Sequence, residues 1–113
     1  MRRLLAALTL LAAAAGPAGA ASFDCAEAAA ADEREICRDC ALSQLDVRMA
    51  TLYEVLTSLV AMGQRGAIHD DQSAWLKQRA ACGADAGCLT RRYEARIEAL
   101  QGQLRQIYQR GPY

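Results

Sequence analysis

Five cysteines, at positions 25, 37, 40, 82 and 88, all lie beyond residue 21 of a 113-residue chain. What they become sets what so short a chain can fold into, and that depends on the compartment. The N-terminus points outward. Arg2 and Arg3 precede an apolar run over residues 4–15, Gly16-Pro17 breaks it, and Ala18-Gly19-Ala20 supplies a small-x-small cleavage pattern. These are the three parts of a secretory signal peptide. Twelve apolar residues are too few to span a bilayer, which takes about twenty. The expected organisation is a signal peptide over residues 1–21, cut after Ala20 or Ala21, and one domain over 22–113. Phe23 and Asp24 stand directly before Cys25, where a lipoprotein signal needs small residues, so lipidation is not expected.

Roughly ninety mature residues make one small domain. A domain of that size buries only about 60–65% of its unfolded surface and is marginal unaided. Exported chains of this length commonly gain the difference from disulfides. The charge is mild. Residues 22–62 carry eight acids and three bases, and residues 63–113 five acids and eight bases. This weak dipole lacks the strong basic patch that nucleic-acid binding requires.

Strand signals are nearly absent, and helical periodicity dominates. Over 41–62 the apolar residues Leu42, Leu45, Met49, Leu52, Leu56 and Leu59 fall at spacings of three and four, one stripe on a helix. Gly63-Gln64-Arg65-Gly66 then reads as a helix stop and loop. A second helix is expected from near His69-Asp70-Asp71, with Trp75, Leu76 and Cys82 inward. "CGADAGC" gives a tight turn, and a third helix over 89–108 carries Leu89, Tyr93, Ile97, Leu100, Leu104 and Ile107. A short helix over 32–37 precedes them, with Asp32 as its cap. The fold class is all-α: a small, disulfide-stapled antiparallel bundle of three main helices plus a short N-terminal one. Tyr53, Trp75 and Tyr93 are the expected core aromatics.

Cys37-Arg38-Asp39-Cys40 has the spacing of a thiol redox pair, but no βαβ pattern surrounds it. Ala41 follows Cys40 where haem attachment needs histidine. A zinc site from Cys37, Cys40, Cys82 and Cys88 would be loosely spaced, and paired thiols in an oxidising compartment are more often oxidised than metallated. Staples remain. Cys82 and Cys88 flank the glycine turn. Cys25 and Cys37 would tie the extended N-terminal segment to the short helix, a closure worth about 3 kcal/mol in the chain-entropy model. Cys40 is then the odd thiol, either free and buried or competing with Cys37 for Cys25.

No catalytic set is visible. His69 is the single histidine and reads as a solvated capping residue. Asp32, Glu33, Glu35 and Asp39 read as a solvated charge run. Arg79, four residues after Trp75, falls near an inner face and needs a carboxylate, for which Asp46 is the candidate. No cofactor, metal or enzymatic activity is expected.

The fragments "SFDCAEA", "EREIC", "LSQLDVRMATLYEVL", "QSAWLKQRAACGADAGCL" and "RYEARIEAL" together resemble, in order, the LprI-type lysozyme inhibitor family, across residues 22 to about 100. That resemblance implies an exported helical protein with cysteines matching Cys25, Cys37, Cys82 and Cys88, and Cys40 as an extra thiol. It also implies a lysozyme as protein partner and protection of peptidoglycan as the role. The exposed loops expected to meet such a target are 63–66, with Gln64 and Arg65, and 83–87, with Ala84 and Asp85. The alternative is a structural or interaction module of the bacterial envelope with no lysozyme target. The oligomeric state is not legible in the sequence.

Overall fold

The computed structural model describes residues 20–111. Most of the expected leader, residues 1–19, lies outside them. The described chain is a helical bundle: α1 Ala31–Arg38, α2 Cys40–Leu59, α3 Met62–Ala81 and α4 Ala86–Arg110. A single 3-10 turn, Cys25–Glu27, precedes α1 and is capped by Asp24, whose Oδ1 accepts from the Ala26 amide at 2.9 Å.

Side-chain chemistry sets most helix starts. Asp39 closes α1 and caps α2, accepting from the Leu42 amide at 3.1 Å. Asp85 caps α4 through the Cys88 amide at 3.0 Å, which starts that helix three residues before the expected Leu89. Each such cap is worth about 1 kcal/mol. At α1 the residue before the helix is Ala30, and Glu33 reaches back to the Ala29 and Ala30 amides at 3.1 and 3.4 Å. Asp32 is therefore not the expected cap; it lies inside the helix and is buried.

The α2–α3 corner departs most from expectation. Helix α2 stops at Leu59, Val60 and Ala61 are extended, and α3 begins at Met62. Gly63, Gln64, Arg65 and Gly66 are its first turns, not a loop. Val60 is the reason: its side chain is buried in the core, and an extended backbone puts it there. Arg65 completes the corner, donating from Nε to the Thr57 carbonyl at 2.8 Å and from Nη2 to the Val60 carbonyl at 3.1 Å. Those acceptors belong to the end of α2, where carbonyls lack helical partners. His69 consequently sits within α3, exposed beside Asp70.

Bonds between helices fix their directions. Asp46 of α2 meets Tyr93 of α4, and further along both helices Leu52 shares a cleft with Gln101 and Leu104, so α2 and α4 run parallel. Gln72 of α3 reaches Met49 and Arg96, whereas Arg79 reaches Asp46 and Tyr93, so α3 runs opposite to both. Consecutive long helices are thus antiparallel. The core runs through Ile36, Leu42, Met49, Leu56, Val60, Ile68, Trp75, Leu89, Tyr93, Ile97, Leu100 and Ile107. Trp75 and Tyr93 meet edge to face, 5.1 Å between centroids.

The buried seam of α2 is not quite the predicted stripe. It is Leu42, Asp46, Met49, Tyr53 and Leu56, spaced four and three, with Tyr53 half-buried, and Val60 just past the helix continues it. Leu45 and Leu52 flank it, and Leu59 is 52% exposed. A polar residue occupies a core position, which an apolar stripe cannot reveal. On α3, Trp75 faces the core while Leu76, expected inward, is exposed.

Two disulfides close one end. Cys25–Cys37 joins the N-terminal turn to α1, and Cys82–Cys88 joins the end of α3 to the start of α4. The intervening turn needs the left-handed conformation at Gly83, φ +57°, which glycine adopts without a Cβ clash. Cys40 is free, and it is exposed rather than buried. Among the described residues no helix is long and apolar enough to cross a membrane.

Candidate functional site

Beneath the stapled end lies a buried polar cluster drawn from every helix. Arg79 of α3 donates from Nε to Asp32 Oδ2 of α1 at 2.8 Å. Its Nη1 lies 3.4 Å from the Tyr93 hydroxyl and 3.9 Å from Asp46 Oδ1. Tyr93 donates to that same Asp46 oxygen at 2.8 Å, and the Ser22 amide donates to Asp46 Oδ2 at 2.6 Å. The Phe23 and Trp75 rings stand 5.6 and 5.9 Å from the guanidinium carbon, within cation–π range. Asp32 and Glu35 are therefore not part of a solvated charge run; both are buried, and Glu35 pairs with Arg38.

The expected pair of Asp46 and Arg79 is present only as the longer of two contacts. Asp32 makes the direct bond, and Asp46 is held mainly by Tyr93 and Ser22. Asp32 was legible in principle, since it lies four residues before Ile36 and so shares that residue's face. Burial and then Asp46 push the Tyr93 hydroxyl well above the ordinary tyrosine range. Burial alone would lower Arg79, but Tyr93 and Asp32 outweigh it and the net shift is upward. Tyr93 therefore keeps its proton, and Arg79 its charge.

A second arginine behaves differently. Arg96 of α4 is buried, its Nε donates to Gln72 Oε1 at 2.9 Å, and its Nη2 has no hydrogen-bond partner. Burial lowers its pKa against the opposing pull of Asp71 and Tyr53. It lines a shallow cleft between α3 and α4 with Asp71, Trp75 and Gln78. Periodicity does not single out Arg96, which sits beside the apolar stripe of α4, not on it.

The two expected loops separate. Gln64 and Arg65 lie on exposed helical turns, and the Arg65 guanidinium is committed to backbone carbonyls. Ala84 and Asp85 do form an exposed turn, fixed by the Cys82–Cys88 bridge and the Asp85 cap. Among the described residues no three histidine, cysteine or acidic side chains are grouped to hold a metal ion. No protein-family model, curated protein or solved structure matches the chain. The class defined by the fold is a small, disulfide-stapled helical bundle.

Proposed function

We propose that the chain is exported, that it acts by binding a protein without catalysing a reaction, and that its target is a lysozyme whose inhibition spares peptidoglycan. The supporting observation is the bracing of the turn over residues 82–85. A bridge, a cap and the buried cluster beneath fix a short exposed surface in one conformation. A preordered surface lowers the ordering cost of association. Asp24, Glu27 and Asp85 are exposed at the same end, and so are Arg34, Arg91 and Arg92, so this surface offers charges of both signs to pair with a target. Of the two expected contact loops, only the one with Ala84 and Asp85 forms a turn, so the contact is assigned to it.

Purified oxidised protein in excess over several lysozymes is expected to slow lysis of peptidoglycan. Reductant, or Ala84→Arg with Asp85→Arg, is expected to abolish the effect. Lysis that proceeds unchanged at micromolar excess rules the target out.

A second reading, an envelope interaction module with no lysozyme target, draws on the opposite end. There Leu59, Met62 and Tyr108 are 52, 84 and 65% exposed. Exposed apolar side chains gathered at one end mark interaction surfaces. Its signature is indifference to lysozymes together with a native partner in periplasmic extract that Leu59→Ser with Met62→Ser releases.

A further inference from the structure

The buried cluster does not balance its charges. Asp32 and Asp46 are 2% and 0% exposed, and the cation paired with them is Arg79. With Tyr93 neutral, two carboxylates face one guanidinium. An uncompensated charge in such surroundings is costly unless a further cation reaches it. Asp46 Oδ2 turns away from Arg79 towards the N-terminal segment, where the Ser22 nitrogen donates at 2.6 Å. In the uncut chain that nitrogen is a neutral amide. It lies directly after Ala18-Gly19-Ala20-Ala21, the expected end of the leader.

We propose that leader removal creates the missing counter-ion: the new α-ammonium docks beside Asp46 and brings the buried cluster to neutrality. The inference rests on the exported reading but not on a lysozyme target. In the cut, a signal peptidase adds water across one peptide bond. The leader departs with the new carboxylate, and the new amine takes up a proton. A cut after Ala21 places the ammonium on the nitrogen already bonded to Asp46. A cut after Ala20 places it one residue earlier, on Ala21, which is half-buried against the core. Asp46 of α2 touches that nitrogen directly; Tyr93 of α4 and Arg79 of α3 contact Asp46, Asp32 of α1 contacts Arg79, and Asp24 follows two residues later in its own segment. Cys25–Cys37 anchors that segment three residues beyond Ser22, so the ammonium is held close at little entropic cost.

An α-amino group titrates ordinarily at about 7.7–8.0. Docked on Asp46 it is raised. The amine then contributes stability that is fully present below its unfolded pKa and is lost as pH rises through the folded value. The test begins with the intact mass of exported protein. Material that retains the leader overturns the exported reading and this inference together. On processed material, NMR titration of the α-amine is expected to give a value at least about one unit above ordinary, a tenfold effect on the folding equilibrium. Acetylating the α-nitrogen alone is expected to remove that stabilisation at pH 6 to 7, and Asp46→Asn to erase the difference between acetylated and free chains. A processed protein whose α-amine titrates in the ordinary range, with stability indifferent to acetylation, overturns the inference alone.

Discussion

The two ends of the bundle are built by different means. At the stapled end, two disulfides and a four-helix polar cluster hold α1, α2, α3 and α4 together. At the far end, where α2 turns into α3 beside the end of α4, residues 61–67 are all exposed, and contact rests on Leu56, Val60, Ile68, Leu100 and Ile107. A chain too small for a deep core concentrates its cross-links where the backbone must turn most sharply. It leaves the other end to a thin apolar layer. Local opening should therefore begin at the α2–α3 corner, with amide exchange faster at 61–67 than in the stapled half.

The largest expected effect lies in the polar cluster. Arg79→Met strands two buried carboxylates and should cost about 3–5 kcal/mol in urea denaturation. Arg96→Met is the sharper comparison: equal burial, but a guanidinium already left with an unpartnered nitrogen. It should change stability by less than about 1 kcal/mol, since much of the cost of an unmet donor is present in the native protein. Equal losses in the two variants would erase the distinction drawn between the arginines.

Next come the staples. Serine at both Cys25 and Cys37 should cost about 3 kcal/mol, and at both Cys82 and Cys88, a shorter loop, about 2 kcal/mol. Serine at Cys40 should leave stability and disulfide mapping unchanged, as suits an exposed thiol outside both bridges.

Tyr93 links the cluster to pH. Its raised pKa means that the unfolded chain loses the phenolic proton first. Stability is then full below about pH 10 and falls as pH rises above it. Tyrosinate absorbance from Tyr93 should accordingly appear only with unfolding, and Tyr93→Phe should remove that alkaline slope.

The smallest effects belong to the far end. Arg65→Ala should cost about 1 kcal/mol through two lost carbonyl bonds. Gly63→Ala and Gly66→Ala should each stabilise by about 0.5–1 kcal/mol, because both positions are helical and neither added methyl meets an atom within 4 Å. A loss at either glycine would mean that the corner is not the regular helix described.

Much of the fold was legible because its signals are local. The stripe of α4 placed Leu89, Tyr93, Ile97, Leu100 and Ile107 in the core, and the turn between Cys82 and Cys88 was readable from its glycines and its spacing. The α2–α3 corner was misread for an equally definite reason. The two glycines in "GQRG" read locally as a helix stop, yet the buried Val60 side chain and the Arg65 clamp decide where the helix breaks. Asp46 was reached from the need of Arg79 for a carboxylate; Asp32 was passed over because its charged neighbours disguised its face.

The sequence by itself determined the helical class, the number of long helices and the pattern of cysteines fit for stapling, since periodicity and spacing are properties of the chain alone. Only the tertiary structure decided which carboxylate takes Arg79, which loop is truly a turn, and that the Ser22 nitrogen ends on Asp46. Those outcomes depend on groups up to 47 residues apart meeting in a low-dielectric interior, where a charge is settled by whatever partner arrives.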